Sequence, residues 1–112
     1  MKVWRVETKK DRFGPYVENP PVIKSTYSDR TPTPHFDGMD SATFPINYRY
    51  GFVSVRKMKE WFTEKDRKIL AKNGYVCRIY SVPKKHVVKG KKQLVFAIYE
   101  AKLVRKSRTI RA

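Results

Sequence analysis

The stretch YVCRIYSVPKKHVVKGKKQLVFAIYEAKLV, residues 75–104, decides the fold. Its first eight residues are mostly strand formers and stop at Pro83, which has no backbone N–H to continue a ladder. A hairpin is expected next. Its first arm is about Lys85–Val88, its turn is Lys89-Gly90-Lys91-Lys92, and its second arm is Gln93–Val104. In that second arm Leu94, Phe96 and Ile98 alternate with Val95, Ala97 and Tyr99, so both faces are apolar. Such a strand belongs at the centre of a sheet, covered on both sides.

Outward from there, GFVSVRKMKEWF (51–62) carries a helix start. Ser54 is a natural N-cap, and Val55, Met58 and Phe62 fall on one helical face with Trp61 beside them. Thr63, with Asp66 three residues on, is a second N-cap, and Ile69 and Leu70 supply an apolar side. Gly74, preceded by Asn73, is a good helix stop. These signals fit two short helices broken near Thr63 or one bent helix. YRYGFVS (48–54) reads as a short strand before them, and KVWRVE (2–7) as the first strand.

Residues 8–47 hold six of the seven prolines, which disfavours sustained helix or central strand. Loops this long in compact domains are usually functional or disordered. The aromatics Phe13, Tyr16, Tyr27, Phe36 and Phe44 argue for order, with their rings pinning the loop to the core. RKSRTIRA (105–112) reads as a basic tail. The expectation is one α+β domain over 1–112: a mostly antiparallel sheet of about five strands, one or two short helices and a long Pro-rich loop.

Charge is the loudest signal. Lys plus Arg is 26 against 10 acids, a net +16. Residues 1–50 carry +2 and residues 51–112 carry +14. Self-repulsion on this scale opposes compaction and points to a polyanionic partner. The run KKHVVKGKK (84–92) holds five lysines and no acid on and around the expected turn. A hairpin tipped with Lys84, Lys85, Lys89, Lys91 and Lys92 suits a phosphate backbone, with little sequence readout. Arg105, Lys106, Arg108 and Arg111 of the tail extend the candidate surface. Lysines also keep edge strands from aggregating, the bland reading of the same residues. No zinc-finger, GXXG or RNP-type motif is present.

The single cysteine, Cys77, excludes an intramolecular disulfide and reads as a small core residue, which fits a reducing cytoplasm. One Cys and two His build no structural zinc site without carboxylates, and no metal is expected. No apolar run approaches a membrane span, and the first residues lack a signal-peptide core. TPTPHFDGMD (31–40) places His35 beside Asp37 and Asp40. These residues suit a metal site or a base with its orienter. They equally suit a turn at Asp37-Gly38, an Asp40 that receives backbone N–H groups, and a His35 packed between Phe36 and the sheet.

At VWRVE…GPY, HFDG, GFVSVRKMKEWF and GKKQLVF the chain resembles small uncharacterised proteins encoded by tailed bacteriophages. The resemblance spans most of the chain. It implies a phage accessory protein working in the bacterial host cytoplasm, where such proteins often bind and disable host or defence machinery.

The chain also resembles, more weakly, the ADP-ribosyltransferase fold. That likeness rests on Arg5 in the first strand, His35, Tyr50 before Ser54 and the helix, and Gln93 where the fold carries a catalytic Glu. It implies an NAD-using enzyme acting on a host component. Gln93 is the departure, because a neutral amide lacks the charge that steadies an oxocarbenium-like transition state.

Three functions are therefore carried forward. The first is a non-enzymatic, cofactor-free module that binds nucleic acid, or an acidic host-protein surface that mimics it. The second is the transferase built on Arg5, His35, Tyr50 and Gln93 with NAD. The third is a protein-only inhibitor of a host or anti-phage defence factor. Oligomeric state is not legible.

Overall fold

The computed structural model describes residues 1–16 and 31–108, the last four by backbone alone. Tyr27 and Arg111 lie outside the described residues. The chain runs β1 (Lys2–Thr8), β2 (Tyr48–Gly51), α1 (Val55–Trp61), α2 (Glu64–Lys72), β3 (Tyr75–Ser81), β4 (Val87–Lys89), β5 (Leu94–Ala97) and β6 (Lys102–Arg108). Short 3-10 turns occupy Ser41–Thr43, Lys84–His86 and Ile98–Glu100. The α+β class and the two short helices are as the sequence implies.

The strands form two antiparallel three-stranded sheets, β1-β3-β6 and β2-β5-β4. The sheets join where Trp4 and Phe52 exchange backbone hydrogen bonds of 2.9 and 2.8 Å. Gly51 permits that approach: a Cβ there would lie 2.6 Å from Val3 Cγ1 and 3.1 Å from the Trp4 carbonyl oxygen. One core lies between the sheets, with Val3, Tyr80 and Val82 from the first meeting Leu94 and Phe96 from the second. A second core lies on the other face of β1 and β3. There Val6, Tyr75 and Cys77 meet Met58, Trp61, Phe62 and Leu70 of the helical segment.

The helix signals act as their chemistry dictates. Ser54 Oγ accepts from the Lys57 N–H at 3.2 Å, and Thr63 and Asp66 form a reciprocal capping box. The chain therefore breaks into two helices at Phe62–Thr63. Gly74 sits at φ +82°, the left-handed stop expected after Asn73.

Three expectations need correction. The second hairpin arm is not one strand to Val104: β5 ends at Ala97, and a 3-10 turn carries the chain into β6 of the other sheet. The two partners of β5 begin at Tyr48, opposite Ala97, and at Val87, opposite Phe96, so beyond Ala97 the strand has no neighbour in its sheet to pair with. Residues 105–108 are not tail but part of β6, paired with β3. The loop is held by other groups than most of its rings. Phe36 is 81% exposed, whereas Asp37 and Met39 are buried. Among the described rings, Tyr16 docks on the helical segment, its hydroxyl accepting from Trp61 Nε1 at 3.2 Å beside Phe62, and Phe44 packs on Tyr48.

Candidate nucleic-acid interface

The lysine hairpin is built by its neighbours. Gly90 N–H donates to the Gln93 carbonyl at 2.8 Å, closing the turn between β4 and β5. The turn's other N–H groups point at the HFDG loop. Lys91 N–H donates to the Asp37 carbonyl at 2.9 Å. Lys92 N–H reaches Asp37 Oδ1 at 2.9 Å, and Gln93 N–H reaches Oδ2 at 3.0 Å. Gly90 makes room for this: a Cβ there would sit 2.8 Å from Asp37 Cγ. The backbone of the turn thus already holds a carboxylate. Any external anion would meet the side chains, and Lys84, Lys85, Lys89 and Lys91 are exposed with Lys92 half-buried.

Strand register adds a group that one-dimensional reading missed. Lys2 pairs with Ser81, and Ser81 pairs with Lys102, so the three stand abreast on one face of the first sheet, all exposed. Directly paired residues have Cβ atoms about 5 Å apart, which puts the two lysines about 10 Å apart with a hydroxyl between them. Lys84 and Lys85 follow Ser81 by three and four residues, in the turn after Pro83. The end of the first sheet and the start of the hairpin therefore form one basic region. The register of β1, β3 and β6 creates it. Arg105, Lys106 and Arg108 lie on β6, and their side chains are outside the described residues, as is all of Arg111.

Electrostatics favour this region. The described carboxylates are largely spent elsewhere. Glu60 meets Arg56 and Lys57, Glu64 meets Lys68, Asp40 and Asp66 cap turns, and Asp37 holds the hairpin. Among the described residues, no carboxylate forms an ion pair with Lys2, Lys84, Lys85, Lys89, Lys91, Lys92 or Lys102.

The structure places the four residues of the transferase-like reading, Arg5, His35, Tyr50 and Gln93, in different settings. Arg5 is buried. Its Nε donates to Glu7 Oε1 at 2.9 Å and its Nη1 to the Tyr50 carbonyl at 2.8 Å. Burial pulls the guanidinium below its ordinary value and Glu7 opposes the shift. Tyr50 is therefore beside Arg5 through its backbone, on β2. His35 is exposed against Phe36 rather than packed on the sheet, with ring centroids 5.5 Å apart. Gln93 is buried in the hairpin turn, not on a strand, and its N–H is taken by Asp37. The Arg5 guanidinium is thus engaged by internal partners. Among the described residues, no group of three or more His, Cys, Asp or Glu side chains is placed to hold a metal ion. No helix is long and apolar enough to cross a membrane, as judged over the described residues.

The sequence reading also passed over a buried ionic network. Glu7, fully buried, accepts from Arg5, from Arg78 Nη1 at 2.7 Å and from the Tyr80 hydroxyl at 2.6 Å. Burial, then the hydrogen bond to Glu7, pushes the Tyr80 phenol above its ordinary range. The signal was present: Arg5 and Glu7 alternate with apolar residues in one strand, and Arg78 interrupts another. The network is enclosed, so it organises the two sheets and offers no surface to a ligand.

Comparison with known proteins gives two findings. The family model described as "Bacteriophage T4 Y00F protein" matches residues 1–109. A curated relative, the "Uncharacterized 19.7 kDa protein in motB-dexA intergenic region" of Enterobacteria phage T4, is 36% identical over 53 residues, 47% of this chain and 32% of the relative. The match thus spans about a third of that relative's length. No solved structure matches.

Proposed function

The chain belongs to the bacteriophage T4 Y00F protein family, and from that premise we propose that it is a basic phage accessory protein that binds nucleic acid without catalysis. Its setting in this reading is the bacterial host cytoplasm, and its target is free nucleic acid or a host or defence complex that carries it. One observation supports this above the others: seven exposed or half-exposed lysines, with Lys2 and Lys102 set on either side of Ser81 by the β1–β3–β6 register and Lys84, Lys85, Lys89, Lys91 and Lys92 carried by the hairpin and the turn before it, have no carboxylate partner among the described residues. Folding such a surface costs self-repulsion that a polyphosphate relieves.

Lysine on this scaffold meets phosphate as a mobile point charge. The turn's backbone donors, which would give directional readout, are held by Asp37. Binding should therefore be tight at low salt and weakly dependent on sequence.

The test is titration of the protein into labelled single- and double-stranded DNA and RNA over a salt series. Affinity falling steeply with salt supports the reading, at a slope near −0.9 per phosphate contact on B-DNA. Weak binding to all four ligands at low salt overturns it and points to an acidic protein surface as the partner.

A further inference from the structure

The lysines account for affinity to a phosphate backbone but not for any choice between single and double strands. A separate group of side chains bears on that choice. Phe44, Tyr48 and Tyr50 form a ladder of edge-to-face rings, with centroids 4.9 Å and then 5.7 Å apart. Tyr48 and Tyr50 are each more than a third exposed, and Ile46 beside them is 87% exposed. Tyr48 and Tyr50 belong to β2, which lies at the edge of its sheet.

Alternation fixes which face they use. Tyr48 and Tyr50 share a face with Phe52, and Phe52 pairs with Trp4. Lys2, Ser81 and Lys102 stand on that same face of the joined sheet, beyond the part that the helices cover. Arg49, between the two tyrosines in β2, is exposed. Residues 41–59 contain no Asp or Glu. Exposed rings in a positive setting on a sheet surface match what unpaired bases need: π faces to stack on and cations for the phosphates between them.

We propose that Tyr48 and Tyr50, supported by Phe44, are a stacking platform for the bases of single-stranded nucleic acid. The platform rests on the nucleic-acid reading above and adds to it the class of ligand. Duplex bases are already stacked on each other and present no face to the tyrosines. The protein therefore discriminates in favour of single strands and against duplex of equal phosphate number.

The test compares oligothymidylate with an abasic oligonucleotide of the same length and charge, at one salt concentration, using the full chain. The platform predicts preference for oligothymidylate on the order of tenfold or more. It also predicts that Tyr48→Ala with Tyr50→Ala removes the preference while leaving the salt slope intact, and that Tyr48→Phe with Tyr50→Phe keeps it. Photocrosslinking the unmutated protein to iodouridine-containing strands supplies a readout that needs no variant, with adducts expected at Tyr48 or Tyr50. Equal binding of the two oligonucleotides overturns the platform and leaves the phosphate reading standing. So do adducts confined to other residues, or self-association through β2 with no base preference. Failure to bind either oligonucleotide overturns both.

Discussion

Asp37 and Lys92 are 55 residues apart in sequence, and the Asp37 carboxylate accepts the Lys92 backbone N–H at 2.9 Å. This contact joins the Pro-rich loop to the basic hairpin and explains why each has its residues. Asp37 is buried, and Gly90 has no side chain to displace it. The region that first suggested a catalytic His–Asp pair is thus a latch, with His35 outside it in solvent.

Removing the latch has a predictable cost. Asp37→Ala leaves the Lys92 and Gln93 N–H groups without their carboxylate. The expected loss is about 2–3 kcal/mol, from hydrogen bonds to a charged group and the desolvated donors left behind. Urea unfolding checks it, with a lower midpoint and an unchanged slope expected. Gly90→Ala should lower the midpoint in the same direction, because its methyl group competes with Asp37 for space. A variant as stable as the parent would show that the latch is incidental.

Gly51→Ala places a methyl group 2.6 Å from Val3 Cγ1, at the junction of the two sheets. Overpacking of a closed core costs about 1–3 kcal/mol. Thermal unfolding should show a drop of that size.

Glu7 pairs with two buried guanidinium groups. Glu7→Gln leaves them with a neutral amide. Breaking a buried pair from one side costs about 3–5 kcal/mol, a large part of a small domain's stability. The expected result is a chain largely unfolded at moderate temperature. A well-folded Glu7→Gln variant would contradict the network described.

Much of this was legible in one dimension, where the cause is local. The N-caps at Ser54 and Thr63, the stop at Gly74 and the buried centre of residues 94–97 follow from short-range chemistry and from apolar runs. What depended on pairing was not legible. The Lys2–Ser81–Lys102 row needs the register of three strands. The Arg5–Glu7–Arg78–Tyr80 network needs residues about 70 positions apart to meet. In the fold, Arg5 and Arg78 both pair with the buried Glu7. The motifs behind the phage resemblance also find a physical role. HFDG latches GKKQ, VWRVE bonds to the Phe52 of GFVSVRKMKEWF, and GPY docks on its Trp61.

Tyr80 sets a pH dependence. Its folded-state pKa is raised above the ordinary value near 10, chiefly by burial. The folded state therefore holds this proton more tightly than the unfolded chain does. The stabilisation is complete below about pH 10 and is lost as pH rises toward the folded-state value. Stability measured from pH 8 to 11.5 should fall more steeply above pH 10 in the parent than in Tyr80→Phe, whose side chain has no proton to lose. Parallel curves would contradict it.

The account stands or falls on whether the basic region meets phosphate. The most direct measurement is the salt dependence of oligonucleotide binding in the parent, in Lys2→Glu with Lys102→Glu, and in Lys89→Glu with Lys91→Glu. The account predicts weaker binding in both variants and a log–log slope shallower by up to about 0.9 for each phosphate contact removed. Slopes and affinities identical to the parent in both variants would contradict it.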